Sequence, residues 1–399
     1  MISFALDDDQ RLLQDTVRRF CREVLREQMR RHEQQGGLLP EVEQAFAELG
    51  LIDLELDEGL PHRTAALVHE ELAWGDPGAA VALWTPHLCA GALRELGTPE
   101  QQARLLARLR RGPDQRYGRG AVAYAEGGPG QGATVAVPTR GGYVLSGTKR
   151  FVLHAPQAEL TIVFAQLDGG CQGMGAFAIA GRPAADPQGS FRLGQRHELL
   201  GLRAAPAGEL VLQEHLVPEE DRLRGGDDFC AAARRVFARA QLLTAARQVG
   251  LARAAYELAL SYTQDRRAFG KPVAHFQAVA FALAEVHMEV ESARWLLWQA
   301  AAEADAGRLD LALCAGAAAH ACEAAFCAAD WCVQLLGGAG FMEDFPAEKW
   351  LREAKALALV GGTPQLYEQI VAAQVLGQDP EGNPEGAGLP SPRLQPFLT

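Results

Sequence analysis

Three things are scarce in this sequence, and each scarcity removes a class of function. Basic charge is the first: 38 Lys and Arg stand against 50 Asp and Glu, giving a net charge of -12 and a pI near 5.4. Phosphate binding needs a basic face, so nucleic acid is not an expected partner. Paired cysteines are the second. The 8 cysteines form no Cys-x-x-Cys pair, and Cys314, Cys322, Cys327 and Cys332 share one alanine-rich helical stretch. Buried free thiols of a reducing cytoplasm are expected, and a metal site is not. Long apolar runs are the third. None approaches the twenty or so residues of a membrane span, and MISFALDDDQ lacks the basic start and apolar core of a signal peptide.

What is present is a large apolar fraction, 48% of 399 residues, enough for two or three packed units. The basic residues are overwhelmingly arginine. To about Gly112 the chain reads as helices. DDDQRLLQDTVRRFCREVL puts acids in a first turn and spaces Leu12, Leu13, Val17, Phe20 and Val24 helically. In GTPEQQARLLARLRRG, Thr98 caps, Pro99 sits at the first helical position and Gln101 completes a capping box.

From about Ala121 the texture changes. GYVLSGTKRFVL, ELTIVFAQL, GAFAIAG and ELVLQEHLV are short β-branched or apolar runs between Gly, Pro and Asp, the pattern of a mostly antiparallel sheet. VPEEDRLRGGDD closes it as a polar linker. From Asp228 to about Leu376 the reading is long helices. Phe276, Val279, Leu283, Val286, Val290 and Leu297 recur at three- and four-residue steps over one bundle helix. The expected divisions are a helical domain over 1–116, a β domain over 117–225, a helical bundle over 226–378 and an irregular Gly/Pro-rich tail over 379–399.

Five stretches carry more than texture: SYTQDRRAFGKPVAHFQ, VQLLGGAGFMEDFPAEKWLREAK, GYVLSGTKRFVL, LGLRAAP and the capped GTPEQQ. Together, in this order and to about Leu376, they resemble the acyl-CoA dehydrogenase family. The resemblance implies an α+β fold, with an N-terminal helical domain, a central antiparallel β domain and a C-terminal four-helix bundle. It implies a homodimer or homotetramer with FAD at the dimer interface, an acyl thioester as substrate, and electron-transfer flavoprotein or oxygen as acceptor. In that chemistry a carboxylate removes the α-proton while the flavin takes the β-hydride.

The resemblance also assigns residues. Arg266 matches the arginine that meets the FAD pyrophosphate of a neighbouring subunit, a task suited to a planar, many-donor guanidinium. Phe269 matches the residue beside the adenine. Gln334 and Gly338 match a turn whose glycines let backbone approach a dinucleotide. Thr363 and Gln365 fall at a helix start where free N–H groups favour anions. Tyr124, Ala125, Phe151 and Leu153 fall beside the flavin ring, with Trp84, Phe237 and Gln241 along the thioester.

Against that pattern, reactive groups are missing. From Ala356 to Tyr367, ALALVGGTPQLY contributes no strong acid or base around its glycine break. The family's catalytic glutamate precedes the Gly-Thr pair, where this chain has Gly361. A minority of relatives carry the base on the first bundle helix, where this chain has Ala240. A positioned base contributes roughly 100- to 10,000-fold to proton transfer. Ala125, Leu153 and Gln131 replace hydroxyl-bearing flavin contacts, while Glu126 aligns with the family glutamate. Ala238 and Gln241 replace an aspartate and an arginine that contact the carrier, so CoA and a carrier protein both stay open. His87 and His154 are weak substitute bases within motif reach, and each reads first as a hydrogen-bonded structural histidine. Two functions follow: a flavoenzyme with unusual proton handling, or a silent subunit completing the flavin site of a paralogous partner.

Overall fold

The computed structural model describes residues 6–112, 116–126, 133–167 and 173–377; Gln131 and the tail lie outside them. The first helices are α1 (Asp8–Phe20) and α2 (Arg26–Gln35), continuous through one wider turn at Cys21–Leu25. Asp7 caps α1 and forms a reciprocal box with Gln10. There follow α3 (Pro40–Ala47), α4 (Leu51–Asp57), α5 (His62–Gly75), α6 (Pro77–Leu83), α7 (Thr85–Leu96) and α8 (Pro99–Leu106). The box of Thr98 and Gln101 at the start of α8 forms as its sequence predicts.

The central sheet contains β1 (Gly120–Ala123), β2 (Val135–Thr139), β3 (Gly142–Leu153), β4 (Leu160–Gln166), β5 (Met174–Ala180), β6 (Phe191–His197), β7 (Ala207–Pro218) and β8 (Arg222–Leu223). Its order is β6-β7-β3-β2-β4-β5-β8, with β1 added on β4. Pairing is antiparallel except for β1 with β4 and a single parallel pair between β2 and β4. The expected linker VPEEDRLRGGDD contains the last strand, because Leu223 turns inward to pair with β5 and is fully buried.

The C-terminal helices are α9 (Phe229–Asp265), α10 (Gln277–Asp305), α11 (Leu311–Leu336), α12 (Ala347–Leu357) and α13 (Pro364–Leu376); the small ribbon β9 (Arg267–Ala268) and β10 (Lys271–Pro272) joins α9 to α10. Alanines along α9 and α11 let the two helices approach closely, and their facing sides are buried. Where α5 crosses α9, a β-carbon on Gly250 would lie 2.1 Å from the Glu70 carbonyl oxygen, so only glycine permits that contact. The segment Leu311–Ala339 is long and apolar enough to cross a membrane by length and composition, contrary to the sequence expectation. Its apolar face packs inside the bundle, with 56% of the apolar window buried.

Buried charge joins the units. Lys349 on α12 reaches Asp76 at 2.8 Å and Glu353 at 2.7 Å, while Nδ1 of His32 lies 3.1 Å from Asp76. All four side chains are almost fully buried. They tie α2 and the start of α6 to the helix that leads into the Gly361 break.

Candidate active site

The break is built differently from the helix exit read from the sequence. α12 ends at Leu357, and a turn carried by Leu359 N–H to Ala356 O and Val360 N–H to Leu357 O fills the gap. Gly361 (φ +85°) and Gly362 (φ +142°) then reverse the chain in a region that side chains rarely adopt. Thr363 caps α13 by accepting from the Leu366 N–H at 3.2 Å, as expected, with Pro364 in the first turn.

Gly361 and Thr363 open onto a cavity of about 280 Å³ between the sheet, α7, α9 and the end of α12. Its wall includes Trp84, Tyr124, Ala125, Phe151, Leu153, His154 and Ala240, all named from the sequence. No described lining residue is an aspartate or a glutamate, whereas Arg150, Arg247 and Lys355 all line it.

The sheet side is held by a buried ion pair. Lys149 on β3 bonds Glu126 and also donates to the Tyr124 carbonyl at 3.2 Å. Glu126 in turn accepts from the Thr134 N–H at 2.8 Å. Burial pulls the Lys149 ammonium down, and Glu126 opposes that shift. Register shifts between Lys149 and Val152 bulge β3 against β7, and Phe151 takes φ +52° there. Its half-exposed ring stacks on His197 at 4.7 Å on the cavity rim.

Tyr124 sits across from Gly361. Its ring meets Phe237 edge-on at 5.6 Å, and burial pushes its hydroxyl up to about 12 despite the Gly361 N–H beside it. Phe237 thus backs Tyr124 and does not itself line the cavity, and Gln241 is likewise buried outside the lining.

The two histidines part ways. His87 is buried off the cavity, with Nδ1 3.1 Å from Glu55 and Nε2 accepting from Arg239 Nε at 3.4 Å. Burial depresses it to about 4, although Glu55 pulls upward. Burial raises Glu55, but His87 and Arg239 outweigh that and bring it down to about 2. His154 does line the cavity, at φ +60° with its backbone N–H on the Pro206 carbonyl. Burial, then Arg119, hold it well below the usual imidazole range, so it is a weak base there.

A second set of named residues lies away from the cavity. Arg266, Phe269, Gln334, Gly338 and Gln365 are all exposed. Phe269 is 96% exposed at φ +49°. Gly337 (φ 59°, ψ -133°) turns the end of α11, and a β-carbon on Gly338 would meet nothing within 4 Å. These groups lie on the surface, where Phe269 meets only Phe276 edge-on at 6.2 Å among the described aromatic rings. Sequence reasoning missed Arg247. Its signal was a charge at the seventh position after Ala240 in an otherwise uncharged stretch of α9, hence on the same helix face.

With this geometry in place, comparison with known proteins is direct. Residues 7–113 match the family model "Acyl-CoA dehydrogenase, N-terminal domain", and residues 230–376 match "Acyl-CoA dehydrogenase, C-terminal domain". A short-chain specific acyl-CoA dehydrogenase of Clostridium acetobutylicum is 30% identical over 72% of this chain and 75% of its own length. The mitochondrial short-chain specific enzyme of Bos taurus is 29% identical over 83% of this chain and 81% of its own. Butyryl-CoA dehydrogenase from Megasphaera elsdenii superposes with a TM-score of 0.84 at 27% identity, covering 94% of this chain and 100% of that one. The fold and these matches define a flavoprotein oxidoreductase. The chain belongs to the acyl-CoA dehydrogenase family, whose cofactor is FAD.

The residues present fit that cofactor. An apolar-walled cavity with an aromatic rim suits a flavin ring, and Phe269 is a large apolar side chain that water alone would cover. Phe151, Leu153, Ala125 and Thr363 would hold the ring end. Arg266, Phe269, Gln334 and Gly338 would hold the dinucleotide end across a subunit interface. When bound, FAD supplies two-electron oxidation.

Proposed function

We propose that this chain is an FAD-dependent oxidoreductase acting on a short acyl thioester, with no side-chain carboxylate taking the α-proton. The observation that supports this reading is the cavity wall: it includes Gly361 and Ala240, which the family resemblance reads as the base positions, and three cations, of which Arg150 pairs with Glu209 outside the wall, but no described carboxylate. A cationic wall lowers the free energy of a carbanion next to a thioester carbonyl, so a substrate with an acidic α-proton loses it to solvent or to a second substrate group. Tyr124, held protonated, serves as a hydrogen-bond donor facing Gly361. Trp84, nearly fully buried in the wall, limits acyl length. Electron-transfer flavoprotein or oxygen accepts the electrons, and CoA or a carrier protein bears the acyl group. The assembly is a homodimer or homotetramer, because the outward-facing Arg266 and Phe269 need a neighbour. The described cysteines are all free, which supports a cytoplasmic setting.

A second reading has a specific observation behind it. The outward dinucleotide-side residues are intact while the cavity lacks a base, as in a subunit that completes the flavin site of a paralogous partner. An absorption spectrum of the purified chain, before and after adding FAD, separates the two. Stoichiometric flavin uptake followed by anaerobic bleaching with an acyl thioester supports the enzyme. A colourless chain that takes up no FAD overturns it and favours the subunit.

A further inference from the structure

Arg247 is a charged group without an internal partner. It is 8% exposed, lines the cavity, and has no hydrogen bond or ion pair to any described residue. Its Nε is buried and unpartnered. Leaving a buried charge uncompensated costs several kcal/mol, so chains seldom keep one without something to meet it.

Among the described residues no carboxylate lines the cavity. Glu55, the carboxylate beside His87, already serves Arg94 at 2.8 Å and Arg239 at 3.3 Å as well. His69 is fully buried with both ring nitrogens unpartnered, and its ring lies 5.0 Å from Trp84 and 5.3 Å from His87. Burial first, and then Arg247, hold it well below its ordinary range, so it adds no negative charge. Burial brings Arg247 down only to about 10, so it stays charged at neutral pH. Trp84 also lines the cavity, and its indole N–H is unpartnered.

Resting on the acyl-thioester reading above, we infer that Arg247 receives an anionic group at the distal end of the acyl chain, so that the preferred substrate is a thioester ending in a carboxylate. The position supports it. Ala240, Thr244 and Arg247 are spaced four and three residues apart on one face of α9, and all three line the cavity. The Cα atoms of Ala240 and Arg247 are about two helical turns apart, roughly 10 Å, and a helical side chain leans back toward the N-terminus, so the guanidinium has a shorter span to cover than that. The guanidinium offers a planar pair of donors to the two carboxylate oxygens, and the Trp84 N–H is a further free donor in the same wall. A neutral chain would leave the charge unmet and lose affinity.

The test uses FAD-loaded protein and two series of pantetheine thioesters, the portion that CoA and carrier proteins share. One series ends in a carboxylate (succinyl, glutaryl, adipyl) and the other in a methyl group (butyryl, pentanoyl, hexanoyl). Binding is measured by titration calorimetry with wild type, Arg247→Met and Arg247→Lys. At least one acid is expected to bind tenfold or more tighter than its neutral counterpart. Arg247→Met should abolish or reverse that preference, and Arg247→Lys, which keeps the charge, should retain part of it. Neutral thioesters binding as well as acids to wild type would overturn the inference and leave the thioester reading standing. An acid preference that survives in Arg247→Met would overturn the role of this residue. If no thioester of either series binds, the thioester reading falls, and this inference falls with it. Should Arg247→Met fail to fold, a smaller acid preference in Arg247→Lys than in wild type supports the inference, and an undiminished one overturns the role of the planar guanidinium.

Discussion

The Thr244 hydroxyl lies 3.3 Å from where a β-carbon on Gly361 would sit, and it donates to the neighbouring Val360 carbonyl at 3.2 Å. Space for a small side chain at Gly361 therefore exists, but its backbone does not favour one. At φ +85° an L-residue carries roughly 1–2 kcal/mol of strain. The shape of the turn thus disfavours any side chain at this position. Ala240, by contrast, sits in regular helix and faces the same cavity. Ala240→Glu should restore proton abstraction more effectively than Gly361→Glu. We expect a gain on the order of 100-fold or more for the helix variant, read as the anaerobic rate of flavin bleaching. Gly361→Glu should show a lower melting temperature and little gain. Equal rescue by both would show that the turn relaxes freely.

Much of the fold was legible because periodicity is a local property. β3 spans the quoted run GYVLSGTKRFVL, and the capping box of Thr98 and Gln101 forms as read. β6, read as nothing in particular, is polar and contains a glycine; it exists because β7 offers it a ladder, which a local pattern does not encode. The membrane-like α11 was undercounted because its alanines are only mildly apolar one by one. At the site, motif order located the cavity wall from Trp84 to Thr363. It could not separate His154 from His87, since burial and the pull of Glu55 and Arg239 are tertiary facts. Arg247 was hidden for the same reason: an arginine on a long helix looks solvated until the helix is packed.

The buried pair of Lys149 and Glu126 holds the strand end that carries Tyr124 and Ala125. Removing one partner strands the other charge, so Lys149→Met should destabilise by about 3–5 kcal/mol, measured by urea unfolding. The double variant Lys149→Met with Glu126→Leu should be less destabilised than the single one. A harmless single substitution would mean that water reaches the pair.

Glu353 makes the pH dependence of stability testable. One ammonium, Lys349, faces two carboxylates, Asp76 and Glu353, in a fully buried group. Burial pushes Glu353 from 4.5 up to about 7, only partly opposed by Lys349. A raised carboxyl favours the folded state below its unfolded value, and that contribution is lost as pH rises toward 7. Each unit corresponds to about 1.4 kcal/mol, so the full effect is on the order of 3–4 kcal/mol. Glu353→Gln keeps the shape without the titration. Its melting temperature should therefore fall less than that of wild type between pH 5 and pH 7.5. Parallel curves would place the ionisation elsewhere.

Arg266 and Phe269 face away from the fold, so substituting them probes the cofactor and not the core. Phe269 is 96% exposed and packs edge-on to Phe276 at 6.2 Å. Aromatic stacking on a base contributes about 1–3 kcal/mol, and a guanidinium on a phosphate adds a charge-assisted bond. Phe269→Ser and Arg266→Ala should each weaken FAD retention by roughly 5- to 100-fold, seen as a lower ratio of flavin to protein absorbance after gel filtration. The far-ultraviolet spectrum and the melting point of the flavin-free chain should stay unchanged, because neither side chain supports the interior. If Phe269→Ser instead lowers the melting point of the flavin-free chain and spares FAD, the exposed ring covers a protein neighbour and not an adenine.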